Sequence, residues 1–213
     1  MTKIETDLMA DWNRALAQVL AAMEARVRNE EIARLLVGSL RILSPSEAGG
    51  AWLCPEGSIP RSLYSDVPSG NESYYELYTR GLYRIDPVRR AGRGGFTGCA
   101  SIRDLAPDDF DRSEYWAQMY ESRGIVDEFV YFLPVPKGWI QLHLARMRGE
   151  QLFNPAEVAR HRAIFPALLV AIRSFGCFEV EAGGGDFAER VEAVYEGFGS
   201  GLLTAREQEV VRF

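Results

Sequence analysis

Residues 74–90 read Tyr-Tyr-Glu-Leu-Tyr-Thr-Arg-Gly-Leu-Tyr-Arg-Ile-Asp-Pro-Val-Arg-Arg. Tyr74 and Tyr78 are four residues apart, so a helix over this stretch sets both rings on one face. The Asp86-Pro87 step then disfavours helical backbone at Asp86 and ends the regular structure. Two phenols and a carboxylate converge on one spot, offering two O–H donors and one strong acceptor. A tyrosine face at this spacing also suits half-buried packing with the hydroxyls reaching water. The residues of this stretch alone leave both readings open.

Downstream, Arg89, Arg90 and Arg93 interleave with Gly92, Gly94 and Gly95, the composition of a solvated basic loop. A strand is expected over 97–102, then a helix over 104–124. That helix has acidic residues at its start, a Gly124 stop, and Phe110, Tyr115, Trp116, Met119 and Tyr120 on its apolar side. Residues 129–135 and 139–145 are two β-rich runs joined by Pro136-Lys137-Gly138, a hairpin signal. By the two-residue period Ile140, Leu142 and Leu144 face one way, and Gln141 and His143 the other. From Asn154, Pro155 and Glu157 a helix start is expected, running to about Phe175 and kinked at Pro166.

Upstream, Leu8, Trp12, Leu16, Val19, Leu20, Met23 and Val27 recur every three or four positions, which predicts an amphipathic helix over 6–27. A second helix is predicted over 30–43, ended by Ser44-Pro45. The apolar run Ala51–Cys54, opened by Gly49-Gly50, reads as a strand, with 60–66 as its hairpin partner. Residues 68–71 are a loop by composition. This order predicts an α/β (α+β) sandwich, a central antiparallel sheet of about five strands flanked by helices.

Composition bounds the function. The 213 residues are 47% hydrophobic and 25% charged, ordinary for a globular chain, and the formal net charge of -6 argues against a nucleic-acid surface over most of it. Cys54, Cys99 and Cys177 form no C-x-x-C, and His143 and His161 lie far from them in sequence, so no disulfide framework, metal site or cofactor is expected. The cysteines read as reduced thiols in a cytoplasm. No apolar run is long enough to span a membrane, and no leader-like start is seen. No Gly-x-Ser-x-Gly, His-Glu-x-x-His or phosphate-cradling loop is present, which gives an enzyme reading little support.

The pattern aromatic-x-x-x-Tyr, then Asp-Pro-Val and basic residues, resembles the ligand-binding domain of LuxR-type quorum-sensing regulators. A second signal, Leu203-Thr204-Ala205-Arg206-Glu207-Gln208-Glu209-Val210-Val211, is similar to the opening of a LuxR-type helix-turn-helix domain. The resemblance implies a GAF/PAS-like sensor. In it Tyr74, Tyr78 and Asp86 hold the polar head of an acyl-homoserine lactone or a related small signal, with Tyr74 at a position where the family has Trp. It also makes Tyr115 and Trp116 pocket candidates, and Phe132 and His143, on the two β-rich runs, complete the set. The expected organisation is a sensor domain over 1–180, a linker over 181–201 that includes Gly183-Gly184-Gly185 and a short helix near 187–197, and the start of a DNA-binding domain over 202–213. DNA contact is expected through that C-terminal domain, and a homodimer is expected because palindromic operators need two readers related by a two-fold axis. A relative sensing a different metabolite, and a dimerisation module without ligand, are the alternatives.

Overall fold

Alternation of apolar residues, strictest over 139–145, builds the sheet from which the rest hangs. In the structure, a computed structural model that describes residues 3–67 and 73–178, β1 (Ala48–Pro55), β2 (Arg61–Ser65), β3 (Gly98–Ser101), β4 (Ile125–Val135) and β5 (Gly138–Met147) form one antiparallel sheet in the order β2-β1-β5-β4-β3. The β4–β5 hairpin pairs from Val135 with Gly138 to Ile125 with Met147, and Lys137 turns it with φ 61°. β1 docks along the other side of β5 and carries β2 as its hairpin partner. The expected α+β sandwich with a five-stranded antiparallel sheet is the observed fold.

The two-residue period sends side chains to two separate cores. One face, carrying Ala51, Leu53, Phe129, Tyr131, Leu133, Ile140, Leu142 and Leu144, is covered by α1 (Lys3–Glu24), α2 (Asn29–Leu43) and α7 (Pro155–Phe175). Val19, Met23, Leu36, Leu40, Leu168 and Ile172 are the buried stripe residues of those helices. α7 starts in a capping box: Asn154 Oδ1 accepts from the Ala156 and Glu157 N–H groups, and Glu157 Oε2 accepts from the Asn154 N–H at 2.9 Å. Arg146 on β5 fixes the same helix end through Glu157, at 2.6 Å. Pro166 lies inside a helix that continues to Phe175.

The opposite face of the sheet carries Trp52, Cys54, Val130, Phe132, Trp139, Ala145 and Met147, and its cover is a chain of short helices: α3 (Ser73–Arg80), α4 (Pro87–Arg93), α5 (Ile102–Leu105) and α6 (Glu114–Met119). Here two expectations are corrected. Residues 104–124 form no single helix. Ala106-Pro107 stops α5, a 3₁₀ turn spans Phe110–Arg112, and Ser113 caps a fresh start by accepting from the Trp116 N–H. A serine cap and a proline thus outweigh the helical spacing of the aromatics. Gly124 does stop the segment, with φ 73°.

The basic stretch after Asp86-Pro87 is likewise not a solvated loop. Pro87 opens α4, a helix that ends before Gly94, and Arg89 is only 1% exposed, its guanidinium 4.7 Å from the centre of the Tyr83 ring while donating to the Ser58 carbonyl at 3.0 Å. Gly92 is required by closeness: a Cβ there would run into the indole of Trp139. Cys54, Cys99 and Cys177 are free and buried. Among the described residues no helix is long and apolar enough to cross a membrane, and no cluster suits a metal ion. The expectations for 68–72, for the 181–201 linker with its helix at 187–197, and for the Leu203–Val211 signature fall outside the described residues.

Candidate ligand-binding site

α3 ends at Arg80, Gly81 turns the chain, and a 3₁₀ turn over Leu82–Arg84 brings Asp86 back beside Tyr78. Asp86 is the N-cap of α4, its Oδ1 accepting from the Val88 N–H at 2.8 Å. Its Oδ2 accepts from the Tyr78 hydroxyl at 2.6 Å. Both residues are 4% exposed. Burial pushes the Asp86 carboxyl above its usual range, the two hydrogen bonds oppose that, and the nearby Glu128 charge adds to the rise. The sequence's convergence of a phenol and a carboxylate is therefore physical, although the carboxylate is already held by a helix start and by the phenol.

Tyr78 and Asp86 form one wall of a cavity of about 50 Å³ between the sheet and α3–α6. The floor comes from β1, β5 and the start of β4. His143 pairs across the sheet with Gly50, which has no side chain to fill the space, and Gln141 pairs with Trp52. His143 Nδ1 lies 2.9 Å from Glu128 Oε1, and the Tyr120 hydroxyl donates to Glu128 Oε2 at 2.5 Å. A carboxylate partner at Nδ1 is satisfied by an N–H there, which leaves Nε2 of the neutral ring as an acceptor. His143 Nε2 and Gln141 Nε2 are both buried without a hydrogen-bond partner, and both residues line the cavity. Gln141 is 1% exposed. A buried donor or acceptor left unpaired costs about 1–3 kcal/mol, so the lining of this cavity carries unmet hydrogen-bonding capacity.

Aromatic rings close the remaining sides. Trp52 lies with its ring centre 5.0 Å from that of Tyr78 and stacks with Tyr75 at 5.9 Å. Tyr115 and Tyr120, with Met119, come from α6 and the residue after it.

Of the residues singled out from the sequence, Tyr78, Asp86, Tyr115 and His143 line this one cavity. Trp116 does not; it is partly buried and lies flat against Tyr120 at 4.8 Å. Phe132 shares the face but is fully buried edge-on to Phe96 at 5.1 Å, outside the lining. Tyr74 lies on α3 one turn before Tyr78, and its side chain is outside the described ones. Trp52, Glu128, Gln141 and Tyr120 were not singled out. Gln141 carried a usable signal, a polar residue facing the same way as His143 on an otherwise apolar strand. Glu128 and Trp52 carried none, because their convergence depends on strand pairing.

No family model matches the chain, and no curated protein sequence does. Solved structures do. The ligand-binding domain of VqsR from Pseudomonas aeruginosa matches with a TM-score of 0.63 at 22% identity, over 79% of this chain and 98% of that one. CepR2 from Burkholderia cenocepacia, described as an N-acylhomoserine lactone-dependent LuxR family transcription factor, matches with a TM-score of 0.55 at 14% identity, over 77% and 95%. The phycoerythrobilin-bound GAF domain of a cyanobacterial phytochrome matches with a TM-score of 0.52 at 14% identity, over 77% and 95%. At these identities the likeness is one of fold, and the described residues have the GAF-like fold of the ligand-binding domains of LuxR-type regulators.

Proposed function

We propose that this chain is the signal-sensing part of a LuxR-type transcription regulator, in which a small molecule seated between β1, β5 and α3–α6 controls DNA binding. The observation that carries the reading is the buried Tyr78–Asp86 pair on the cavity wall, at the positions where the sequence resemblance puts head-group contacts. Each Asp86 oxygen has one partner in the structure, which leaves a second lone pair on each for a ligand N–H. Tyr78 points its hydroxyl at Asp86 and can turn it to a ligand carbonyl when the carboxylate takes a ligand N–H instead. Tyr74, one turn earlier, is the candidate for a third contact. DNA is bound through the domain that Leu203–Val211 opens, and the regulator works as a homodimer on a palindromic site.

Within this reading the ligand is an acyl-homoserine lactone or another small signal. One observation favours the second: Glu128, Gln141 and His143 make the floor polar, where an acyl chain needs apolar walls. The test is thermal unfolding against a panel of acyl-lactones and small polar metabolites, followed by titration of the best ligand into wild type and Asp86→Asn. Asn keeps the N-cap and removes the charge, so the variant folds and its affinity falls about tenfold or more. An unmoved midpoint across the whole panel, together with a concentration-dependent dimer, would replace this reading by that of an interaction module with a filled core.

A further inference from the structure

Resting on the sensing role just proposed, we infer that the ligand of this cavity is a compact protonated amine carrying one hydrogen-bond acceptor, of the amino-alcohol or amino-amide class, rather than a molecule with an acyl chain. Three observations lead there. The first is charge. Two carboxylates, Asp86 and Glu128, stand on the cavity wall, and His143 is the only basic side chain among the described lining residues. The wall thus sets two carboxyl groups against a single imidazole, and burial already strains Asp86 upward. A bound cation relieves both.

The second observation is the pattern of spare groups. Gln141 lines the cavity, and its Nε2, on a side chain 1% exposed, is a buried donor with no partner. It calls for a ligand acceptor. His143, held through Nδ1 by Glu128 at 2.9 Å, has no partner at Nε2, and the free lone pairs of Asp86 are acceptors. A ligand with several N–H donors at one end and one hydroxyl or carbonyl at the other satisfies all of them. Trp52 and Tyr115 also line this space, and aromatic rings attract ammonium groups.

The third is size. An engineered apolar cavity of about 150 Å³ takes a benzene molecule, while this one measures about 50 Å³. Space for only a few heavy atoms excludes a long chain unless several buried rings move.

Ethanolamine and glycinamide are the probes, each paired with a neutral isostere, ethylene glycol and glycolamide, and set beside a short-chain acyl-homoserine lactone. Titration calorimetry and thermal unfolding on the wild-type chain should show binding by an amine at least about tenfold tighter than by its isostere. Glu128→Gln should erase most of that difference, and Gln141→Leu should weaken the amine while leaving its preference over the isostere. The isostere comparison needs only the wild type, so it decides the charge question even if a variant fails to fold. Equal binding of amine and isostere overturns the inference. Tight lactone binding that Asp86→Asn weakens and Glu128→Gln leaves alone also overturns it, while the sensing role stands. A midpoint moved by none of the compounds sinks the amine and, with the wider panel silent too, the sensing role itself.

Discussion

Tyr78→Phe removes one oxygen and keeps the ring that packs against Trp52 and Tyr83, at 5.0 and 6.3 Å. What is lost is the 2.6 Å hydrogen bond to a carboxylate that is 4% exposed and has the Val88 N–H as its other partner in the structure. A hydrogen bond to a charged group contributes about 1.5–3 kcal/mol. For a domain of this size each kcal/mol moves the melting midpoint by roughly 2–4 °C, so a drop of about 3–12 °C is expected at pH 7. The sign of the pH dependence follows from Asp86. Burial raises its folded-state pKa above the unfolded value, and the Tyr78 hydrogen bond holds it back. For a carboxyl shifted upward the folded state binds the proton first, so this site's contribution to stability rises on acidification through the window above the unfolded pKa. Removing the hydroxyl widens the shift, and the difference between wild type and Tyr78→Phe should therefore shrink from pH 7 to about pH 4.5. Other titrating groups affect both chains alike and cancel in the difference. Urea unfolding at the two pH values measures it, and in an Asp86→Asn background the same hydroxyl should contribute only about 0.5–1.5 kcal/mol, as a neutral pair does. A difference below about 0.5 kcal/mol at pH 7, or one that does not change with pH, would refute the claim that this pair is a desolvated charged contact.

His161 gives a separate pH effect on the other face of the sheet. Burial, with Arg160 adding to it, holds its pKa down to about 4, and it is bonded to the Tyr131 hydroxyl. The unfolded chain therefore protonates first on acidification, and between about pH 6.5 and 4 stability should fall by up to roughly 3 kcal/mol; His161→Gln should flatten that slope in unfolding curves. Gly92→Ala puts a Cβ into the Trp139 indole and should cost about 1–3 kcal/mol, with a shift in tryptophan fluorescence; an unchanged midpoint would mean α4 can slide. Asn154→Ala removes the acceptor for two α7 N–H groups and should cost about 0.5–2 kcal/mol by urea unfolding, without affecting ligand affinity.

The sheet and the long helices were legible because their signals are local. Period-two alternation in β5, the Pro136-Lys137 turn and the Asn154 capping box each fix structure within a dozen residues. The cover of the binding face was not. The helical spacing of Phe110, Tyr115, Trp116 and Tyr120 suggested one helix, and Pro107 and the Ser113 cap divided it. Arg89 read as solvated because charge in a glycine-rich stretch usually is, whereas Tyr83 and the Ser58 carbonyl give its guanidinium a buried seat. The candidate site divides the same way. Tyr78 and Asp86 lie eight residues apart and were found together, while Glu128 and Trp52 reach the cavity from β4 and β1, which only the pairing of the sheet sets on either side of β5.

The central claim is that the cavity beside Tyr78 and Asp86 holds a small molecule. Native mass spectrometry of the chain purified from its own host tests it directly, with wild type and Asp86→Asn prepared in parallel. The account predicts one small-molecule mass per wild-type chain and its loss or strong depletion in Asp86→Asn. A wild-type spectrum showing only the bare chain, or a bound mass that survives unchanged in Asp86→Asn, would contradict it.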